Sequence, residues 1–419
     1  MLTVVSSRAA VPAIRLFYHL LHHQQQQHQQ NTVVKLTLTS KRMTTNRKTF
    51  SLPVLDLDLW IRDRASFAHQ FREACTDIGF LYLKCQLQTH NEMMNEARRF
   101  FSSSTDIKRT VDYANSPSLR GYMALGVENT AGKIDMREQI EYAVEYPIDF
   151  YPPLDKKSME EAARLRPLYE RLRARQNPWP NTTQPTLQPT TLAYASELES
   201  VANILRQAFC LALGLTVHGM DHLFLSDVDK HPPHWVLKLL SYPSITRVQG
   251  VEQPEWGVGE HVDTNFLTII SQDAPGLQAW VDGTWIDVPP VPPESNSELD
   301  GDRTHYLVVN LGEQAQVLSR SIFCATPHRV LPHSGQSNRT SLAFFYNPPL
   351  RTTLTPLPID VSLHKINRKW QDQRPNTILE TVGDNTFKSL ARSHPHVFCQ
   401  HHPDVIVCPD GRLERSDET

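Results

Sequence analysis

The sequence predicts a mainly β fold with flanking helices: a distorted double-stranded β-helix, or jelly-roll, core preceded by an N-terminal α/β region. Three observations carry that expectation. Short apolar runs with period-two alternation recur through the second half of the chain. Segments of helical period with recognisable ends fill the first half. Asp282-Gly283 separates two of the short runs, a pair suited to the tight turn of a hairpin. Helices packed outside a β core accommodate that order of elements. The expected division is residues 1–50 as a disordered extension or targeting peptide, 51–230 as an N-terminal region of helices and strands, 231–350 as the β core, and 351–419 as a C-terminal helical extension and tail.

Taken in order, residues 1 to about 50 contain seven Lys or Arg and no Asp or Glu. With Arg8, Arg15 and the apolar patch Ile14 to Leu21 they fit a mitochondrial presequence. The other reading is a disordered extension, because His22 to Gln30 is a Gln/His tract that cannot build a core. Leu52 to Leu57 reads as the first strand. Asp63 caps a helix in which Phe67, Phe71, Cys75 and Ile78 share a face, and Gly79 ends it. Phe80 to Leu83 returns as a strand. Thr89 with Glu92 three positions on predicts a capping box, opening a helix that buries Met93, Ala97 and Phe100 or Phe101.

Arg120-Gly121-Tyr122 leads into a loop, and Ser158 to Arg175 has a helical rhythm broken by Pro167. Residues 177 to 192 read as a surface loop, followed by a long helix from Ser196 to Leu213 that Gly214 stops. Val236 to Pro243 is the next strand, and Leu277 to Val281 with Thr284 to Val288 form the hairpin. Pro289 to Thr304 reads as a surface insertion, residues 306–312 and 321–326 as apolar strands. Beyond Pro349 helices and a tail are expected, with His394, His396, His401 and His402 solvated.

The formal net charge of -3 hides an asymmetry: setting aside the seven N-terminal cations leaves 35 basic against 45 acidic residues. No basic stripe is left on the folded part, so no nucleic-acid partner is expected. The longest apolar run near the start is broken by Arg15 and too short to cross a bilayer, so no membrane association is expected either. Cys75, Cys85, Cys210, Cys324, Cys399 and Cys408 include no C-x-x-C pair, which argues against a disulfide framework or zinc knuckle and for a reducing compartment. A cytoplasmic location is expected, with mitochondrial delivery as the alternative if residues 1–50 act as a presequence.

The chemistry concentrates between Gly259 and Phe345. His261 and Asp263 stand one residue apart in Gly259-Glu260-His261-Val262-Asp263, and extended backbone sends both side chains to one side. His328 follows 67 residues later, and Arg339-Thr340-Ser341 begins 11 residues after that. Two neutral nitrogens, one carboxylate and open positions are the donor set of a non-haem Fe(II) oxygenase. An H-x-D triplet alone arises about once by chance in a chain of this kind, so the ordered set behind it carries the weight. His402-Pro403-Asp404 has the same spacing and no such sequel, and reads as surface.

Gly257 to Asp263, Leu277-Gln278-Ala279-Trp280, Gly283 to Pro289, Val308-Val309-Asn310-Leu311-Gly312, His328-Arg329-Val330 and Arg339-Thr340-Ser341 together resemble, in order, the Fe(II)- and 2-oxoglutarate-dependent dioxygenases of the isopenicillin N synthase-like branch. Leu52 to Asp56, Gly79-Phe80, Arg120-Gly121-Tyr122 and Asn177-Pro178-Trp179-Pro180 are similar to the branch's N-terminal half, so roughly residues 52 to 350 are covered. The resemblance makes 231–350 the Fe(II)/2-oxoglutarate dioxygenase core. It implies that His261, Asp263 and His328 hold Fe(II), that Arg339 and Ser341 take the distal carboxylate of 2-oxoglutarate, and that Tyr242 lies beside that cosubstrate. O2 is the implied oxidant, ascorbate a supporting reductant, and a small organic molecule the substrate.

The sequence departs from the branch at Leu240, where Asn is usual, and at Glu313, where Asp is common. Arg120 reads either as a substrate contact or as part of a structural ion pair. Two alternatives accompany the main reading. One is an Fe(II) oxidase of the same fold that does not use 2-oxoglutarate, of the isopenicillin N synthase or aminocyclopropanecarboxylate oxidase type, for which Leu240 leaves room. The other is a non-catalytic binding protein.

Overall fold

His234–Tyr242 (β7) pairs along its whole length with Arg339–Asn347 (β14), antiparallel. Alternation along both strands sends Leu237, Leu239, Leu342 and Phe344 to one face and Leu240, Tyr242 and Ala343 to the other. That division sets the architecture of this computed structural model, which describes residues 51–130, 133–146, 166–173, 176–244, 256–293, 303–363, 378–408 and 411–416. All of these lie in the unit Phe50–Thr419. The expectations for residues 1–50 fall outside the described residues, as does most of the Ser158 to Arg175 stretch.

The eight-stranded sheet contains Val54–Asp56 (β1), Phe80–Gln86 (β2), Gly121–Met123 (β3), Glu138–Ala143 (β6), β7, Leu267–Gln272 (β9), Thr304–Leu311 (β12) and β14, in the order β1-β2-β12-β9-β14-β7-β6-β3, while Asn129–Thr130 (β4) and Lys133–Ile134 (β5) pair with each other alone. Only β1 and β2 run parallel; the other neighbours are antiparallel. Val258–His261 (β8), Leu277–Val281 (β10), Thr284–Asp287 (β11) and His328–Val330 (β13) make a four-stranded sheet in the order β11-β10-β13-β8. Phe80, Tyr82, Val308, Leu240, Val258, Leu277, Ala279 and Val330 fill the space between the sheets. The turn of the β10–β11 hairpin is Asp282-Gly283, both with positive φ, as the sequence predicts.

The opposite face of the large sheet buries Leu81, Leu83, Ile269, Leu307, Val309 and Leu342 against helices. These are Arg64–Asp77 (α1), His90–Ser102 (α2) and Leu187–Ala212 (α3). Asp63 caps α1 through the Ser66 amide at 3.1 Å, and Phe67, Phe71 and Cys75 are buried as expected. Gly79 has φ +74°, and a Cβ there would collide with the Cys324 carbonyl. Gly79→Ala is therefore expected to cost at least about 2 kcal/mol, read by urea unfolding. A variant as stable as the parent would mean that the α1–β2 turn tolerates a side chain.

Four expectations need correcting. The Thr89–Glu92 capping box does not form. Glu197 of α3 instead accepts from the Gln88 and Thr89 amides at 2.9 and 3.1 Å and from the Thr89 hydroxyl at 2.6 Å, while Glu92 accepts from Thr190. The long helix starts at Leu187, inside the expected loop, because Pro189 falls in its first turn, where a missing N–H costs nothing. Residues 321–326 are not a strand. They follow a short helix, Glu313–Leu318 (α4), and the left-handed turn at Arg320 and Ser321, and Phe323 packs its ring 5.0 Å from Phe209. Finally, Val382–Ser393 (α5) and Pro395–His401 (α6) form as expected, but His394 and His402 are buried rather than solvated.

Candidate active site

Pairing between β13 and β8 sets His328 directly opposite His261, with ring centroids 4.3 Å apart. The chain turns after His261, and Phe266, buried against Phe209 and Phe224 at 5.1 and 5.3 Å, pins the segment that carries Asp263. Such ring pairs add about 0.5–1.5 kcal/mol each beyond their burial. Asp263 Oδ1 lies 3.7 Å from Nε2 of both His261 and His328. One donor atom from each of the three residues falls within 4.8 Å of the others, the one such group among the described residues.

The surroundings prepare each donor. His261 Nδ1 is 2.9 Å from the Gly259 carbonyl and His328 Nδ1 is 3.0 Å from the Thr326 carbonyl. A carbonyl only accepts, so both Nδ1 atoms carry the proton and both Nε2 lone pairs face Asp263. Burial, then the proximity of His328, push His261 down to about 4, which keeps it neutral at physiological pH. The Asp263 carboxyl moves the other way. Burial alone would raise it, but the imidazoles of His328 and His261, with hydrogen bonds from Thr268 and Asn310, hold it below the ordinary carboxylate range. Those two bonds, 2.6 and 2.8 Å, both reach Oδ2, and they come from residues opposite one another in the β12–β9 pairing. Oδ1 is left for other partners.

The same cavity, about 600 Å³, is lined by Arg339, Ser341 and Tyr242. Arg339 faces Tyr242 across the β14–β7 pair, its guanidinium 4.6 Å from the ring centre. It donates from Nε to the Ala274 carbonyl at 3.0 Å and from Nη2 to Gln272 Oε1 at 2.6 Å. Nη1 has no hydrogen-bond partner although the residue is 1% exposed. Among the described residues no carboxylate lies within 4 Å of it, so a buried cation is left for an anionic ligand. Leu240, where the branch has Asn, is buried opposite Ser341.

Arg120 lines the cavity too, but its nitrogens donate to the carbonyls of Val144 and Leu172 at 3.1 and 3.0 Å, bracing backbone rather than forming the expected ion pair. The second H-x-D triplet lies at the surface only in part: Pro403 is exposed and Asp404 half-exposed, but its His is not. His402 is buried with Nε2 on the Pro117 carbonyl at 2.8 Å, and Asp404 pairs with Arg171 at 2.6 Å. Sequence reasoning passed over Thr268, Asn310 and Gln272. Asn310 stands in a motif that carries the resemblance, and strand alternation gave a signal for all three, since each points to the inner face of the large sheet beside a recognised site residue.

Residues 52–170 match the family model described as the N-terminal region of the non-haem dioxygenase in morphine synthesis, and residues 236–348 match that of the 2OG-Fe(II) oxygenase superfamily. Among curated relatives, a 2-oxoglutarate-dependent dioxygenase, frbJ, of Dothideomycetidae sp. is 29% identical over 367 residues, covering 85% of this chain and 90% of its own. A homoarginine-6-hydroxylase of Glycine max is 29% identical over 296 residues, covering 69% and 79%. Among solved structures, a full-length Neurospora crassa protein in complex with alpha-KG superposes with a TM-score of 0.60 at 20% identity, covering 84% of this chain and 100% of its own, a likeness of fold. JOX2 in complex with 2OG, Fe and JA gives 0.52 at 27% identity, covering 73% and 78%.

Proposed function

The chain belongs to the 2OG-Fe(II) oxygenase superfamily, and on that premise we propose that His261, Asp263 and His328 hold the ferrous ion while Arg339, Ser341 and Tyr242 hold 2-oxoglutarate. It is a non-haem Fe(II) dioxygenase that couples oxidative decarboxylation of 2-oxoglutarate to hydroxylation or a related oxidation of a small organic substrate. The buried, uncompensated Arg339 in the cavity of the His-Asp-His group carries the assignment of the cosubstrate residues. When bound, iron supplies the dioxygen chemistry that no side chain performs.

The chain's own residues do the rest. Two imidazole nitrogens and one carboxylate would hold the ion, the carboxylate offsetting half of its charge. Arg339 presents Nη1 to a carboxylate, its other nitrogens held by Gln272 and Ala274, so the fork is set before the ligand arrives. Tyr242 limits the swing of the guanidinium. Asn310→Ala should leave Asp263 with one of its two orienting bonds and weaken Fe(II) binding roughly 10–100-fold, measured by anaerobic titration. Unchanged affinity would show that Thr268 alone orients the carboxylate.

Purified protein with Fe(II), ascorbate and 2-oxoglutarate tests the reaction: succinate is expected, and a metabolite extract containing the substrate accelerates its release. The same-fold oxidase alternative is not favoured, and would consume O2 without succinate. We also propose that the chain works without nucleic acid or membrane. Its acidic balance past residue 55 supports the first. No helix among the described residues is long and apolar enough to cross a membrane. A cytoplasmic location is our reading, on the scattered cysteines, with mitochondrial delivery the alternative; a fluorescent fusion of residues 1–50 separates them.

A further inference from the structure

β8 is an edge strand of the four-stranded sheet: β13 pairs with one side of it, and no strand among the described residues pairs with the other. Gly259 is nevertheless buried, so its amide needs an acceptor from outside the sheet. Asp135, 0% exposed, supplies it, with Oδ1 accepting from the Gly259 N–H at 3.3 Å. The other carboxylate oxygen is held by Asp135's own segment. Oδ2 accepts from the Thr130 hydroxyl at 2.9 Å and pairs with Arg137 at 3.2 Å, and Arg137 pairs in turn with Glu128 at 2.6 Å. The Asp135 amide donates to the Glu128 carbonyl at 3.0 Å, closing the chain across the β4–β5 pair. One oxygen of a buried, well-anchored carboxylate is thus turned towards β8.

The approach is close as well as polar. A Cβ on Gly259 would lie 3.2 Å from the Cβ, the Cγ2 and the carbonyl oxygen of Thr130, so glycine is what lets β4 lie against β8. On its other side the Gly259 carbonyl accepts from His261 Nδ1 at 2.9 Å. Gly259 is therefore held at its N–H by Asp135 while its carbonyl holds the imidazole. A ligating imidazole takes its tautomer and ring orientation from what its second nitrogen meets. His328 has a separate partner, the Thr326 carbonyl.

We propose that Asp135 is a positioning residue for the iron site: it fixes Gly259, whose carbonyl sets the proton and the ring orientation of His261, while Thr130 and Arg137 keep the carboxylate in place. The inference rests on the reading that His261 and His328 hold the metal. Asp135 does not line the cavity and acts on the site through Gly259, 124 residues along the chain.

The test uses the full chain loaded anaerobically with Co(II), a paramagnetic stand-in for Fe(II). The proton NMR spectrum of the parent is expected to show two strongly shifted, exchangeable imidazole N–H resonances, one from each histidine. Asp135→Asn keeps the shape, but its single oxygen is drawn to Thr130 and Arg137, which turns its NH2 group on the Gly259 N–H. This variant should bind Co(II) about tenfold more weakly and should move or lose one of the two resonances while the other stays in place. Gly259→Ala, which removes no charge, is expected to displace the same resonance, and it carries the test should Asp135→Asn fail to fold. Parent affinity with both resonances unmoved in a folded variant overturns the proposal. An equal shift of both also overturns it, because that marks a general loosening rather than a path to His261. Failure of the iron-site reading would look different: His261→Ala would then keep Co(II) and both resonances, whatever Asp135 does.

Discussion

Replacing His261 or Asp263 with alanine is expected to abolish Fe(II) binding and 2-oxoglutarate turnover together. Loss of an outer partner of a metal ligand already costs 10–100-fold in affinity, so loss of a ligand itself should exceed about a hundredfold. The two variants should differ in stability. The His261 side chain is 33% exposed and its Nδ1 bond goes to a neighbouring carbonyl, so its removal leaves little stranded. Asp263 is buried and accepts from both Thr268 and Asn310; removing it leaves the Asn310 amide unpaired at about 1–3 kcal/mol, while the Thr268 hydroxyl keeps Asn265 Oδ1 at 3.3 Å as an acceptor. A folded His261→Ala protein that still bound one Fe(II) per chain would break the account of the site. A lower melting temperature for Asp263→Ala than for His261→Ala would support the hydrogen-bond assignment around Asp263.

Arg339→Ala should raise the 2-oxoglutarate requirement roughly a hundredfold or more, while Fe(II) binding is kept. The size follows from the burial: a charge-assisted bond in a site closed to water is worth about 1.5–3 kcal/mol, and the guanidinium offers more than one. Arg339→Lys is expected to recover part of the charge but not the fork, because an ammonium cannot hold Gln272 and the Ala274 carbonyl while also meeting a carboxylate. The measurement is the dependence of succinate formation on 2-oxoglutarate concentration. A variant with the parent's dependence would assign the cosubstrate carboxylate to some other group.

Much of this was legible in the sequence because the signals are local. The Asp63 cap, the Gly79 stop, the Asp282-Gly283 turn and the alternation in β7, β9 and β14 each depend on a handful of adjacent residues. His261, Asp263, His328, Arg339, Ser341 and Tyr242 share one cavity in the structure, as the spacing and the resemblance suggested. The misses involve partners far along the chain. Glu197 displaces the Thr89–Glu92 box from 108 residues away, and the burial of His402 depends on a carbonyl at Pro117. Residues 321–326 are apolar because Phe323 packs on α1 and α3, an environment that composition cannot separate from a buried strand. Nothing in the tail hinted that Ser389 and Ser393 would line the cavity.

A crystal structure of the protein with Mn(II) in place of Fe(II) and with 2-oxoglutarate bound would test the central claim most directly. The account predicts a metal bonded to His261 Nε2, an Asp263 oxygen and His328 Nε2, with the distal carboxylate of the cosubstrate on Arg339 and Ser341. Metal bound elsewhere, or a cosubstrate carboxylate that avoids Arg339, would contradict it.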